Sequence, residues 1–112
     1  LAPTSGPERI DRIVRQASGF IYYVSLTGVT GVRPVLDRTI RRQIATIRKK
    51  SSLPIGVGFG ISTPEHAKTV ARWSDAVVVG SAIIKIISQC RSTEETLQKA
   101  GNFIRTLKRA MQ

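Results

Sequence analysis

Apolar residues in this chain recur at two spacings, one helical and one extended, and the two alternate along its length. Ile10, Ile13, Val14 and Ala17 fall on a single helical stripe. Ser5 and Glu8 have the S-x-x-E spacing of a capping box, and Pro7 suits a first turn, so a helix is predicted to open there. Ser18-Gly19 ends it. Phe20 to Ser25 is a short β-branched and aromatic run, the profile of a strand buried on both faces. A loop of Gly, Thr and Val continues through Gly31. Leu36, Ile40, Ile44 and Ile47 then define an amphipathic helix over Val35 to Lys49. Pro54 to Phe59 reads as a second strand, closed by Gly60. Ser62, Thr63, Pro64 and Glu65 supply a cap, an early proline and a first-turn acid for a helix running to about Trp73. Asp75 to Val79 is a third apolar run, followed by a short helix from Ala82 to about Ser88. Ser92 with Glu95 caps a last helix carrying Leu97, Phe103, Ile104 and Leu107.

Strands that alternate with helices, each strand an apolar run, imply a parallel sheet with right-handed crossovers. Leu1 to Pro3 reads as the last step of a preceding strand. Tyr22 and Tyr23 must point to opposite faces of their own strand, one toward the helix layer and one toward the interior of a barrel. Three strands alone leave two open edges and one bare face. Residues 1–112 are therefore expected to be part of a single larger domain.

Composition narrows the choice of function. No stretch approaches the ~20 apolar residues of a membrane span. Eighteen Lys and Arg against 7 acids give a net charge of +11, which raises nucleic acid as a partner. Against that, Arg38, Arg41, Arg42, Arg48, Lys49 and Lys50 lie on a helical segment, not among aromatics able to stack on bases. Cys90 is a lone cysteine without a neighbouring His and reads as an ordinary thiol in a reducing compartment.

The candidate chemistry gathers where strands end. Each strand runs into glycine: residues 27–31, then Gly58 to Ser62, then Gly80-Ser81-Ala82. Glycine permits backbone N–H groups to turn toward a ligand, and a helix start supplies unpaired N–H groups with roughly +0.5 charge. Such a place receives phosphate without needing Lys or Arg. In closed (β/α)8 barrels the phosphate sits between the loops after the last two strands and a short extra helix, which Gly58 to Gly60 and Gly80-Ser81 match. The acids are Glu8, Asp11, Asp37, Glu65, Asp75, Glu94 and Glu95. They fall in helices, at caps or before a strand, so no pair is placed for acid–base work. No Ser–His–Asp set or metal cluster is read either, His66 lying in a helical first turn.

Residues 1–5 (LAPTS), 19–31 (GFIYYVSLTGVTG), 58–65 (GFGISTPE) and 79–85 (VGSAIIK) together resemble the tryptophan synthase α-subunit family. The resemblance implies the C-terminal portion of a TIM (β/α)8 barrel, about three βα units plus a short extra helix. It implies a lyase, as a complete subunit, that cleaves indole-3-glycerol phosphate to indole and glyceraldehyde 3-phosphate. By that resemblance Gly31, Gly60, Gly80 and Ser81 hold the substrate phosphate, and Tyr22 and Phe59 line the indole pocket. Thr30 belongs to a closing loop, where it orients a catalytic aspartate. The family's catalytic Glu and Asp stand on earlier strands, outside this sequence, so the chain alone is expected to be inactive. Leu26 stands where some members carry Arg. The resemblance further implies no cofactor in this subunit, a β-subunit partner holding pyridoxal phosphate in an α2β2 complex, and a cytoplasmic or plastid-stromal setting. Two other readings remain open: a different phosphate-binding barrel enzyme, and a basic nucleic-acid-binding module.

Overall fold

A computed structural model describes residues 1–25, 33–58 and 60–112. Its three strands are β1 (Ile21–Val24), β2 (Ile55–Gly58) and β3 (Ala76–Val78), all parallel and ordered β1-β2-β3. The register pairs Tyr22 with Gly56 and Val24 with Gly58, then Gly56 with Ala76 and Gly58 with Val78. Helices α1 (Pro7–Gln16), α2 (Arg33–Lys50), α3 (Pro64–Ala71), α4 (Ser81–Gln89) and α5 (Thr93–Met111) complete the order α1-β1-α2-β2-α3-β3-α4-α5. The predicted elements are all present, with boundaries shifted by one or two residues.

One face of the sheet is apolar and covered. Ile21 and Tyr23 of β1 and Ile55 and Val57 of β2 are buried against Ile40, Ile44 and Ile47 of α2. Ile10 of α1, Ala67 and Val70 of α3 and Leu107 of α5 extend the same core. Helix α5 packs on α3 and α4, and α1 on α2. The opposite face is open: Phe20 is 57% exposed, and Tyr22 and Val78 are each 39% exposed. The β1 run, which reads as a strand buried on both faces, is thus buried on one, because among the described residues nothing lies over the other.

The two adjacent tyrosines divide as strand alternation requires. Tyr23 is fully buried under α2, and its hydroxyl donates to Gln43 Oε1. Burial pushes the Tyr23 pKa well above its ordinary value of 10. The Gln43 amide in turn donates to Pro3 O at 2.9 Å and Ser5 O at 3.5 Å, so one α2 side chain ties β1 to the turn before α1. Leu1 lies alongside β1: its nitrogen donates to Tyr22 O at 3.1 Å, and its carbonyl accepts from Val24 N at 2.8 Å. This is the strand-like step expected of Leu1 to Pro3.

Helix ends follow local chemistry, with one correction. Thr63 caps α3 by accepting from His66 N, and Ser92 caps α5 by accepting from Glu95 N. The capping box expected from Ser5 and Glu8 does not form. Ser5 Oγ accepts from Ala2 N at 3.0 Å instead, and Gly6 stands at the cap position with no side-chain bond. The chain turns back on itself at residues 2–5, so the hydroxyl is consumed before the helix begins. Gly19, at φ 76°, makes the left-handed turn between α1 and β1 that other residues resist.

Asp75 clips the entrance of β3 to β2. Its Oδ2 accepts from Ile55 N at 2.8 Å, its own N–H donates to Ile55 O at 2.9 Å, and Arg48 of α2 stands 3.0 Å away. The Ile55 N–H foremost, then Arg48, hold the carboxyl below its ordinary value of 3.8. A depressed folded pKa gives stability that is complete above the unfolded value and disappears as pH falls through the folded one. Asp75→Asn is therefore expected to lower the urea midpoint at pH 6, with the gap to the unsubstituted chain closing as pH drops below about 4. A gap that stays constant down to pH 2 would contradict this role.

Candidate functional site at the glycine-ended strands

Because the three strands are parallel, their C-terminal ends open at one rim. Ser25, just past β1, is buried there; its hydroxyl donates to Gly58 O at 2.7 Å and its N–H to the same oxygen at 2.9 Å. This double contact holds the ends of β1 and β2 together before the two loops diverge. Beyond β2, Gly60 has φ 78°, a left-handed conformation that disfavours any side chain. Ile61 then turns back into the core.

Beyond β3, Gly80 is the N-cap of α4 and makes no side-chain bond. Its carbonyl accepts from Ile83 N at 3.0 Å and Ile84 N at 3.1 Å, which starts the helix. The N–H groups of Ser81 and Ala82 precede the first intrahelical acceptor, so they have no partner within the helix. With the helix dipole behind them, they form an anion-receptive end. No acid stands in the first turn of α4 to compete for it. Gly60, Gly80 and Ser81, chosen from sequence, therefore share the rim that follows β2 and β3. Thr30, Gly31 and Phe59 lie outside the described residues.

Tyr22 lies on the open inner face, below that rim. Its ring leans along the sheet over Gly58, two residues past its register partner Gly56; Phe20 leans over Gly56 in the same manner. A Cβ at Gly58 would stand 2.5 Å from Tyr22 Oη and 2.9 Å from Val78 Cβ, both too close. A Cβ at Gly56 would meet the Phe20 ring at 3.5 Å, an ordinary contact. Gly58 is therefore the seat of the Tyr22 ring, a role that sequence reasoning missed along with the Ser25 clasp. Residue parity alone places Tyr22 and Gly58 on one face, but the lean and register that bring them together are tertiary.

None of the described carboxylates lies on a strand, and the open face presents Phe20, Tyr22, Ala76 and Val78 around the two glycines. Asp11 pairs with Lys50, Asp75 with Arg48 and Glu95 with Lys99, all among helices or at the start of β3. Among the described residues no group of three or more His, Cys, Asp or Glu is placed to hold a metal. No helix there is long and apolar enough to cross a membrane. What the rim can do is bind an anion and hold an aromatic surface beside it.

The two glycines make opposite predictions. Gly58→Ala is expected to displace the Tyr22 ring and destabilise by about 1–3 kcal/mol, as overpacked sites do. Gly56→Ala is expected to be neutral or to stabilise by roughly 0.4–1 kcal/mol, since it fits the space and restricts the unfolded chain. Urea denaturation of the two variants checks the contrast, and equal effects would remove Gly58's role as a seat.

The comparisons with known proteins agree with this geometry. The family model described as tryptophan synthase alpha chain matches residues 1–112. The tryptophan synthase alpha chain of Rippkaea orientalis is 48% identical over 112 residues, covering 99% of this chain and 42% of that protein. That of Arabidopsis thaliana is 44% identical over 110 residues, covering 97% and 40%. A crystal structure of the alpha chain from Legionella pneumophila superposes with a TM-score of 0.78 at 36% identity, covering 99% of this chain and 40% of that one. The chain thus spans about two fifths of the length of the curated relatives it matches, and its sheet and helices are part of a (β/α)8 barrel. Alternating strands and helices, the glycine-ended rim and the match along all 112 residues lead to one assignment: the chain belongs to the tryptophan synthase alpha chain family.

Proposed function

We propose that this chain supplies the phosphate grip and one wall of the indole pocket in a lyase that cleaves indole-3-glycerol phosphate to indole and glyceraldehyde 3-phosphate. The observation that carries this reading is the rim itself: Gly60 in a left-handed turn after β2, and Gly80-Ser81 opening α4 after β3. Backbone N–H groups from the α4 end, with those of Gly60 and Gly31, surround the substrate phosphate. Tyr22, raised on the inner face by Gly58, and Phe59 form walls for the indole ring. Thr30 lies in the segment that closes over the bound substrate.

Retro-aldol cleavage needs one group to take a proton from the glycerol hydroxyl and another to protonate the indole ring carbon as it leaves. No described acid lies on a strand, so in this reading the chain positions substrate and another part of the barrel moves the protons. A grip on the phosphate matters to the rate because binding energy remote from the breaking bond fixes the reacting atoms. In this reading the subunit binds no cofactor of its own. It works in an α2β2 complex with a β subunit that holds pyridoxal phosphate and consumes the indole.

The purified 112-residue chain is expected to release no indole from indole-3-glycerol phosphate. Adding a polypeptide that supplies the family's earlier strands, with their Glu and Asp, is expected to restore release. Indolepropanol phosphate should inhibit the restored activity and ribulose 5-phosphate should not. Indole formed by the chain alone, or inhibition by the ribulose ester only, would overturn the reading.

A further inference from the structure

We propose that the cleft between α2 and the end of α3 is a second anion site, suited to a small phosphorylated molecule and separate from the glycine-ended rim. Its volume is about 680 Å³, within the size range of small-molecule sites. Arg41, Ile44 and Arg48 of α2 form one wall; Arg72, Trp73 and Asp75 form the other. The cleft sits at the entrance of the strands, since Asp75 precedes β3 and binds the N–H of Ile55, the first residue of β2. The rim lies at the opposite ends of those strands, so the two anion sites are on opposite ends of the sheet.

Charge and order both favour a ligand here. Three guanidinium groups face one carboxylate, a balance of 3 − 1 = +2 among the lining residues. Asp75 is committed to Arg48 at 3.0 Å, and the same Arg48 donates to Trp73 O at 3.0 Å, so one arginine is fixed in place. Arg41 and Arg72 are exposed and make no ion pair among the described residues. Guanidinium groups bind phosphate oxygens in pairs, and a fixed neighbour lowers the ordering cost of doing so. Trp73 is half-buried with its ring packed against the core, which gives the cleft an apolar wall beside the charges. A nucleic-acid strand fits less well. It would need successive aromatic platforms, and the cleft has one.

Trp73 is the sole tryptophan, so its fluorescence reports on this cleft directly. Titration of the chain with sodium tripolyphosphate, against sodium chloride at equal ionic strength, is expected to give a saturable change. Arg41→Gln with Arg72→Gln should weaken binding at least about tenfold, roughly 1.4 kcal/mol, with the melting temperature unchanged because both side chains are exposed. Ser81→Asp, which sets a carboxylate at the rim's anion-receptive helix end, should leave this signal intact. The proposal is overturned by a response no greater than that to chloride, by a double variant that binds equally well, or by loss of the signal in Ser81→Asp. Tighter binding of a DNA duplex that depends on Arg38 and Arg42, with Arg41 and Arg72 dispensable, overturns it as well.

Discussion

The packing of one sheet face against α2 sets the terms for everything else in the chain. Ile21, Tyr23, Ile55 and Val57 bury their side chains under Ile40, Ile44 and Ile47, and each burial is worth about 1.5–3 kcal/mol relative to exposure. Strand side chains alternate strictly, so this choice sends Phe20, Tyr22, Gly56, Gly58 and Val78 to the other face. A slip of one residue in β1 would place the Tyr22 ring in the core and Tyr23 on the open face, and would break the Gln43 bond. The outer core thereby orients an inner surface that it never touches.

Parallel pairing supplies the second half of the arrangement. All three strands deliver their C-terminal ends to one rim, where the Ser25 clasp holds β1 and β2 together and glycine ends β2 and β3. In the proposed function the rim binds through backbone, at Gly60 and at the opening of α4, while Arg48 and Asp75 clip the opposite end of the sheet through side chains. The division has a physical reason. A rim that must approach a phosphate closely gains from lacking side chains, whereas the entrance of a strand is a place to fix register.

Much of this was legible in the residues. Periodicity located every helix and strand, Pro64 with Thr63 and Ser92 with Glu95 marked two helix starts, and glycine after strands marked the rim. What sequence misread or missed depended on contacts between distant segments. Ser5 and Glu8 have capping spacing, yet the Ala2 N–H takes the Ser5 hydroxyl. Leu97 and Ile104 have helical spacing, yet both are largely exposed on α5 while Leu107 is buried. The tyrosine pair declared its alternation but not which member faces the helices. Gly58 appeared as one of several turn glycines, and its place beneath Tyr22 follows from a register that no local pattern encodes.

The central claim is that this chain, on its own scaffold, carries a preformed phosphate grip at the rim of β2 and β3. Backbone amide shifts recorded during titration with glycerol 3-phosphate test it most directly. The account predicts saturable shifts at the amides of Gly60, Gly80, Ser81 and Ala82. Shifts absent from those four amides, or confined to the opposite end of the sheet around Arg72 and Trp73, would contradict it.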